Sequence, residues 1–216
     1  MAKQKRDAEA TKAKLIKNAM ELFAKKGFDG VSVDEVAAAS EVNKAMIFYY
    51  FKNKAGLYEA VMQGVLDAIY DEIVEADKCC ANTLGELKAF IMTYASFAKR
   101  YPYFPALLLR ELSDSGAHLP ELMFESMKKL FVLLSAILDK GVEEGLFKDV
   151  IPMIVHFMII GTINLYVTTE PLRKKAEDED ALDTCSSCEI EEVSEYIYRK
   201  ILLMLEVDDE KNICRS

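Results

Sequence analysis

The sequence predicts an all-α fold, and three observations carry that prediction. Only nine Gly and five Pro occur in 216 residues, too few for the many tight turns of an all-β chain, whereas the Ala, Leu, Glu, Lys and Met content suits helices. Apolar residues recur at spacings of three and four along most of the chain. With 51% hydrophobic, 10% aromatic and 29% charged residues, the chain can bury a sizeable core, which excludes disorder for most of its length.

The elements follow in order. Ala10 to Lys26 sets Leu15, Ile16, Ala19, Met20, Leu22 and Phe23 on one stripe of a 3.6-residue period, a first helix. Lys25 and Lys26 suit the negative end of its dipole, and Gly27 can take the left-handed conformation that stops it. Ser32-Val33-Asp34-Glu35 has the form of a capping box and opens a short second helix with Val33, Val36 and Ala37 inward. That helix gives way near Ser40-Glu41-Val42. Asn43 caps a third, Lys44 to about Tyr50, and Asn53 caps a long fourth with Leu57, Val61, Val65, Ile69 and Ile73 every four residues. Further helices are predicted from Thr83 to about Arg100, where Pro102 ends it, and from Phe104 to Ser113. Others are predicted from Pro120 to Glu144, Pro152 to Thr169 and Glu189 to Val207. The polar, acidic stretch Glu170 to Cys188 reads as a mobile connection.

Charge is unevenly spread. Residues 1–54 hold 11 Lys and Arg against 7 Asp and Glu, net +4, and the remainder holds 16 against 29, net −13. A basic quarter on an acidic body is the pattern of a small domain facing a polyanion, the alternative being a solvated helix face. Met1 to Arg6 is polar and lacks the apolar core of a secretory signal, and five Cys cannot all pair within the chain. A cytoplasmic, reducing location is the expectation. Ile151 to Thr169 is 19 residues without Asp, Glu, Lys or Arg. It contains His156 and Asn164, which would need partners in lipid, so a helix buried on most sides of a soluble core is expected and no membrane partner.

Three short helices with a tight turn between the second and third, followed by a long helix, make a helix-turn-helix arrangement. Residues 11 to 61, above all Val42-Asn-Lys-Ala-Met-Ile-Phe-Tyr-Tyr-Phe-Lys-Asn-Lys54, resemble the TetR family of bacterial transcriptional regulators, whose recognition helix ends in an aromatic run followed by Phe-Lys-x-Lys. The resemblance implies a helix-turn-helix DNA-binding domain over residues 1–54 and a larger helical effector-binding and dimerisation domain over 55–216. It implies phosphate contacts from Ser32, Tyr49 and Lys54, and groove-facing positions at Lys44, Ala45 and Met46. Val36, Ala37, Val42, Ile47 and Phe51 match the family's small core. Asn43 and Tyr50 complete the DNA-binding candidates, with Tyr50 divided between packing and DNA.

At 100° per residue the run Phe48 to Phe51 cannot all face inward, so Phe51 and part of Phe48 are assigned to packing and Tyr49 to DNA. Lys44 is the one recognition-helix side chain suited to reading guanine, while Met46 offers apolar contact alone. Much of the specificity is therefore expected from DNA shape and half-site spacing. The family usually has Gly where this chain has Glu41, so the turn must hold a non-Gly residue and bring a carboxylate near the DNA face.

The resemblance also implies a homodimer on a palindromic operator in double-stranded DNA, joined through the last two long helices, with a small-molecule effector in each body. Met153, Phe157, Ile160, Ile163, Asn164 and Val167, with Val193, Tyr196, Ile197, Ile201, Leu202 and Met204, are the expected apolar face. Tyr94, Phe97, Tyr101, Phe104, Leu108, Met123, Met127, Phe131, His156 and Asn164 are the cavity candidates, favouring a hydrophobic or aromatic inducer. For any one of them, plain core is the commoner reading.

Cys185-Ser-Ser-Cys188 overlaps a possible capping box, Ser186 to Glu189, which would put Cys188 in a first helical turn and lower its thiol pKa. A thiol switch is thus an alternative reading. A zinc site would require Cys79 and Cys80 to come close as well. No cofactor is expected and no enzyme, since two His and no phosphate loop, nucleophile elbow or metal-binding helix pair offer no catalytic set.

Overall fold

A computed structural model describes residues 2–178 and 188–206. In order the helices are α1 (Ala2–Lys26), α2 (Val33–Ala39), α3 (Lys44–Phe51), α4 (Lys54–Asp77), α5 (Thr83–Arg100), α6 (Tyr103–Ser113) and α7 (Glu121–Glu143). There follow α8 (Pro152–His156), a π-helical turn (Phe157–Gly161), α9 (Thr162–Thr168), α10 (Glu170–Asp178) and α11 (Ile190–Leu205). The described residues contain no strand, and they divide into two compact units, residues 2–68 with Tyr101–Met127, and Ile69–Arg100 with the described residues from Lys128 onward.

In the first unit α6 packs on α1, α1 on α2 and α2 on α3. Leu15, Ala19 and Phe23 of α1 are buried with Val36, Ala37, Ile47, Phe51, Leu57, Tyr58 and Val61. The three caps form as the sequence predicts: Glu35 N–H donates to Ser32 Oγ (3.1 Å), Ala45 N–H to Asn43 Oδ1 (2.8 Å) and Gly56 N–H to Asn53 Oδ1 (2.8 Å). Gly27 ends α1 at φ +75°. Arg110 Nη1 then donates to the orphaned carbonyls of Ala24 and Lys25, each at 3.3 Å, so α6 caps the end of α1.

The next residue, Glu111, is 2% exposed and accepts a hydrogen bond from the Tyr58 hydroxyl of α4. Burial first, and then Glu111, push the Tyr58 hydroxyl above the ordinary tyrosine range, which keeps it a donor.

In the second unit α5 packs on α9 and α11. Tyr94 of α5 donates to Asn164 Oδ1 of α9 at 2.9 Å with both residues buried. The backbone N–H of Lys148 donates to the carbonyl of Leu205 (2.9 Å), tying the end of α11 to the segment after α7.

Three expectations change. α1 starts at Ala2 rather than Ala10, because Ala, Lys, Gln and Arg carry a helix without an apolar stripe. Glu170–Asp178 is helical rather than a connection, with Lys174 bridging to Glu170 at 2.7 Å one turn away and Lys99 to the same carboxylate at 3.1 Å. The segment from Pro152 is buried on one side only: Val155, Ile159, Ile163 and Val167 are inside, while Ile154, Phe157, Met158 and Leu165 are exposed. The π turn adds a residue to one helical turn and so rotates the face that follows. No single described helix is long and apolar enough to cross a membrane; the pair Pro152–Thr168 and Glu170–Ala176 passes by length and composition together and is bent by 62°.

The Tyr58–Glu111 bond yields a prediction. Tyr58→Phe strands a buried carboxylate and is expected to lower stability by about 1–3 kcal/mol in urea unfolding. Adding Glu111→Leu should recover part of that loss, since removing both partners leaves nothing unsatisfied.

Candidate nucleic-acid interface

The surface that matters is built from α3, which is almost entirely apolar or aromatic although only Ile47 and Phe51, four positions apart, are buried. These two join Val36 and Ala37 of α2 in the core. The rest of α3 is turned outward. Tyr49 is 79% exposed, Lys44, Ala45 and Phe48 are exposed, and Met46 and Tyr50 are half-buried. The Tyr50 ring meets Tyr49 edge-on at 5.1 Å and lies tilted against Phe51 at 6.1 Å, between the packed and outer faces. Ser32 and Asn43 are exposed beside it.

Lys54 is half-buried, with Nζ 4.4 Å from the centre of the Phe28 ring and 3.4 Å from the Asp29 carbonyl oxygen. An aromatic face and a carbonyl thus fix where that charge sits.

Between α2 and α3 the chain turns without glycine. Glu41 takes φ +52°, its N–H donates to the Ala38 carbonyl (3.0 Å) and Val42 N–H to the Ala37 carbonyl (3.1 Å). This is a Schellman closure with Glu at the position glycine normally fills, at a cost of about 1–2 kcal/mol for the left-handed residue. Asn18 of α1 braces the turn, donating to the Ala39 carbonyl (3.2 Å) and to Ser40 Oγ (3.1 Å). The Glu41 carboxylate reaches Lys14 Nζ at 2.6 Å.

Two more carboxylates of α2 are neutralised in the same way, Glu35 by Lys26 (2.6 Å) and Asp34 by Lys44 (2.7 Å). Each pair is exposed and worth little alone. Neither Asp34 nor Lys14 stands out in the sequence as a partner, because the separations of ten and 27 residues belong to the fold and not to a helical repeat. Lys26, followed by the backbone and hydroxyl of Ser32, holds the Glu35 carboxyl down at about 2. The Ser32 N–H is engaged by Glu35 Oε2 at 2.8 Å.

This geometry has known counterparts. Residues 15–61 match the model of bacterial regulatory proteins of the tetR family. Over that segment the chain is similar to bacterial regulators of the TetR family. The relatives it matches are HTH-type transcriptional regulators and repressors. It is 29% identical to a probable HTH-type transcriptional regulator, YttP of Bacillus subtilis, over 61% of this chain and 65% of that relative. It is 27% identical to the HTH-type transcriptional repressor NicS of Pseudomonas putida over 72% of this chain and 74% of the relative. Among solved structures it resembles the Bacillus subtilis transcriptional regulator FadR in complex with stearoyl-CoA, with a TM-score of 0.70 and 22% identity over 90% of this chain and 99% of that one.

The effector candidates are divided by the fold. Tyr101, Phe104, Leu108, Met123 and Met127 lie in the first unit, and Tyr94, Phe97, Phe131, His156 and Asn164 in the second. Phe104, Leu108 and Met123 are buried, Met127 is half-buried and Tyr101 is exposed. In the second unit Tyr94, Phe97 and Asn164 are buried. The His156 ring is edge-on to Phe131 at 5.7 Å, its Nδ1 has no hydrogen-bond partner among the described residues, and burial pushes it toward the neutral form.

The cysteine readings change too. Cys185 and Ser186 lie outside the described residues. Cys188 is disulfide-bonded and precedes the N-cap of α11 rather than sitting in its first turn, and that cap is Glu189 in a reciprocal box with Glu192. Cys79 is exposed, and burial pushes the Cys80 thiol up. Among the described residues no group of His, Cys, Asp or Glu is placed to hold a metal ion.

Glu35 gives a test of the α2 cap. Because its folded carboxyl titrates below the ordinary value of 4.5, its contribution is full above that pH and is lost as pH falls through about 2. Side-chain NMR should follow that titration, and Lys26→Met should move the midpoint upward.

Proposed function

We propose that this regulator is a homodimeric repressor that holds a palindromic operator through residues 1–54 and leaves it when a small hydrophobic or aromatic ligand binds within residues 55–216. The observation that carries the DNA contact is the outward face of α3, with Tyr49 79% exposed over a helix anchored by Ile47 and Phe51. A tyrosine hydroxyl, the Ser32 hydroxyl and the Lys54 ammonium supply phosphate donors, and Lys44, Ala45 and Met46 meet base edges.

Dimerisation is supported by the exposed apolar residues Ile154, Phe157, Met158 and Leu165 on the α8–α9 segment and Tyr196 and Leu203 on α11. They differ in part from the expected face, since Ile163, Asn164, Val167, Ile197 and Ile201 are spent on the chain's own core. Two recognition helices would then meet one face of the duplex ~34 to 36 Å apart. For the effector, the support is the Phe131 ring edge-on to His156 and the buried Tyr94–Asn164 hydrogen bond, a few polar groups in an otherwise apolar unit. The match to a structure holding stearoyl-CoA agrees with a ligand of apolar character.

Selection of sites from a random DNA pool at about 150 mM salt should return a palindrome for the native chain and none for a Tyr49→Phe, Lys54→Ala double variant. Equal enrichment by the variant would overturn the assigned contacts. Sedimentation of the full chain should show a dimer at micromolar concentration, and a monomer would overturn the arrangement on DNA.

A further inference from the structure

Lys44 does not stand alone at the start of the recognition helix. Its Nζ lies 2.7 Å from Oδ2 of Asp34, so an ammonium from the first turn of α3 and a carboxylate from the first turn of α2 form one unit. Both side chains are exposed, at 45% and 70% respectively. An exposed pair of this kind adds little to stability. A lone carboxylate in this place would repel phosphate, and the first residues of a recognition helix are those that reach base edges. Paired with Lys44, Asp34 instead presents an acceptor directly beside a donor.

We propose that Asp34 and Lys44 together read a single G·C base pair, an inference that rests on the DNA-binding reading above. In the major groove a G·C pair shows two acceptors side by side, guanine N7 and O6, and then one donor, the cytosine N4 amine. The Lys44 ammonium has three N–H donors. One stays on Asp34 while the others meet N7 and O6, and the free carboxylate lone pairs accept from N4. No charge is stranded, and the ion pair is kept rather than broken on binding. An A·T pair fails this match, because its amine lies between its two acceptors and a methyl group follows them. The order of ammonium and carboxylate also fixes which strand carries the guanine.

The experiment is site selection followed by binding at fixed salt to all four base pairs at the position Lys44 reads. It uses the native chain, Asp34→Ala, Asp34→Asn and Lys44→Ala, with a thermal melt of each variant to confirm folding. The native chain should prefer one orientation of G·C by about 5- to 150-fold. Asp34→Ala should lose most of that preference, and Asp34→Asn should retain part through its amide oxygen. Replacing the cytosine by an analogue lacking the N4 amine should weaken the native chain and leave Asp34→Ala unaffected. Glu41→Gln, which also removes a carboxylate near the same surface, should raise affinity for all sequences alike.

Unchanged discrimination in Asp34→Ala, with uniformly tighter binding, would overturn the proposal and leave Asp34 as a charge that holds phosphate off. A native chain that selects no site overturns the DNA-binding reading itself and this one with it.

Discussion

A carboxylate taken out of water must find a donor, and Glu111 finds the Tyr58 hydroxyl. That bond constrains the unit that carries the DNA surface. Arg110, the residue before it, caps the last carbonyls of α1, and the His118 ring after α6 lies stacked 4.8 Å from Phe28. Phe28 is in turn the ring beneath the Lys54 ammonium. One end of α6 thus fixes the end of α1, the start of α4 and the ring under the Lys54 ammonium. Shape complementarity could do some of this, but an apolar residue in place of Glu111 would slide, whereas a buried polar pair holds one register.

What was legible in the sequence is what depends on neighbours along the chain. Ser32, Asn43 and Asn53 cap as expected because a cap is an agreement between a side chain and an amide two or three residues on. Ile47 and Phe51 fall inward and Tyr49 outward because 100° per residue allows no other division once two positions are anchored. The turn at Glu41 uses the left-handed residue with which many helices end, here without glycine.

The less legible parts depend on which elements meet. The segment from Pro152 reads as one apolar helix, but the π turn at Phe157–Gly161 shifts its register. Residues that a constant 3.6-residue period would align therefore split between core and surface, and no composition rule marks the break. The Tyr58–Glu111 pair spans 53 residues and Asp34–Lys44 joins two helices across a turn. The effector candidates were chosen as aromatic and soft residues on central helices, and that criterion cannot separate residues by compact unit, because size and polarity carry no information on which helix faces which.

The electrostatics of the head show why a net charge is a poor guide to a binding surface. Residues 1–54 carry net +4, yet Lys14, Lys26 and Lys44 each lie within 2.7 Å of a carboxylate oxygen. Exposed pairs are worth at most about 1 kcal/mol each, so a polyanion can compete for any of these lysines. The carboxylates then remain close to the DNA and oppose phosphate wherever no base donor meets them. A head built this way binds arbitrary DNA less tightly than its lysine count suggests. On the proposed readout, it would recover affinity where the base sequence satisfies both Asp34 and Lys44, and that difference, rather than total charge, would set specificity.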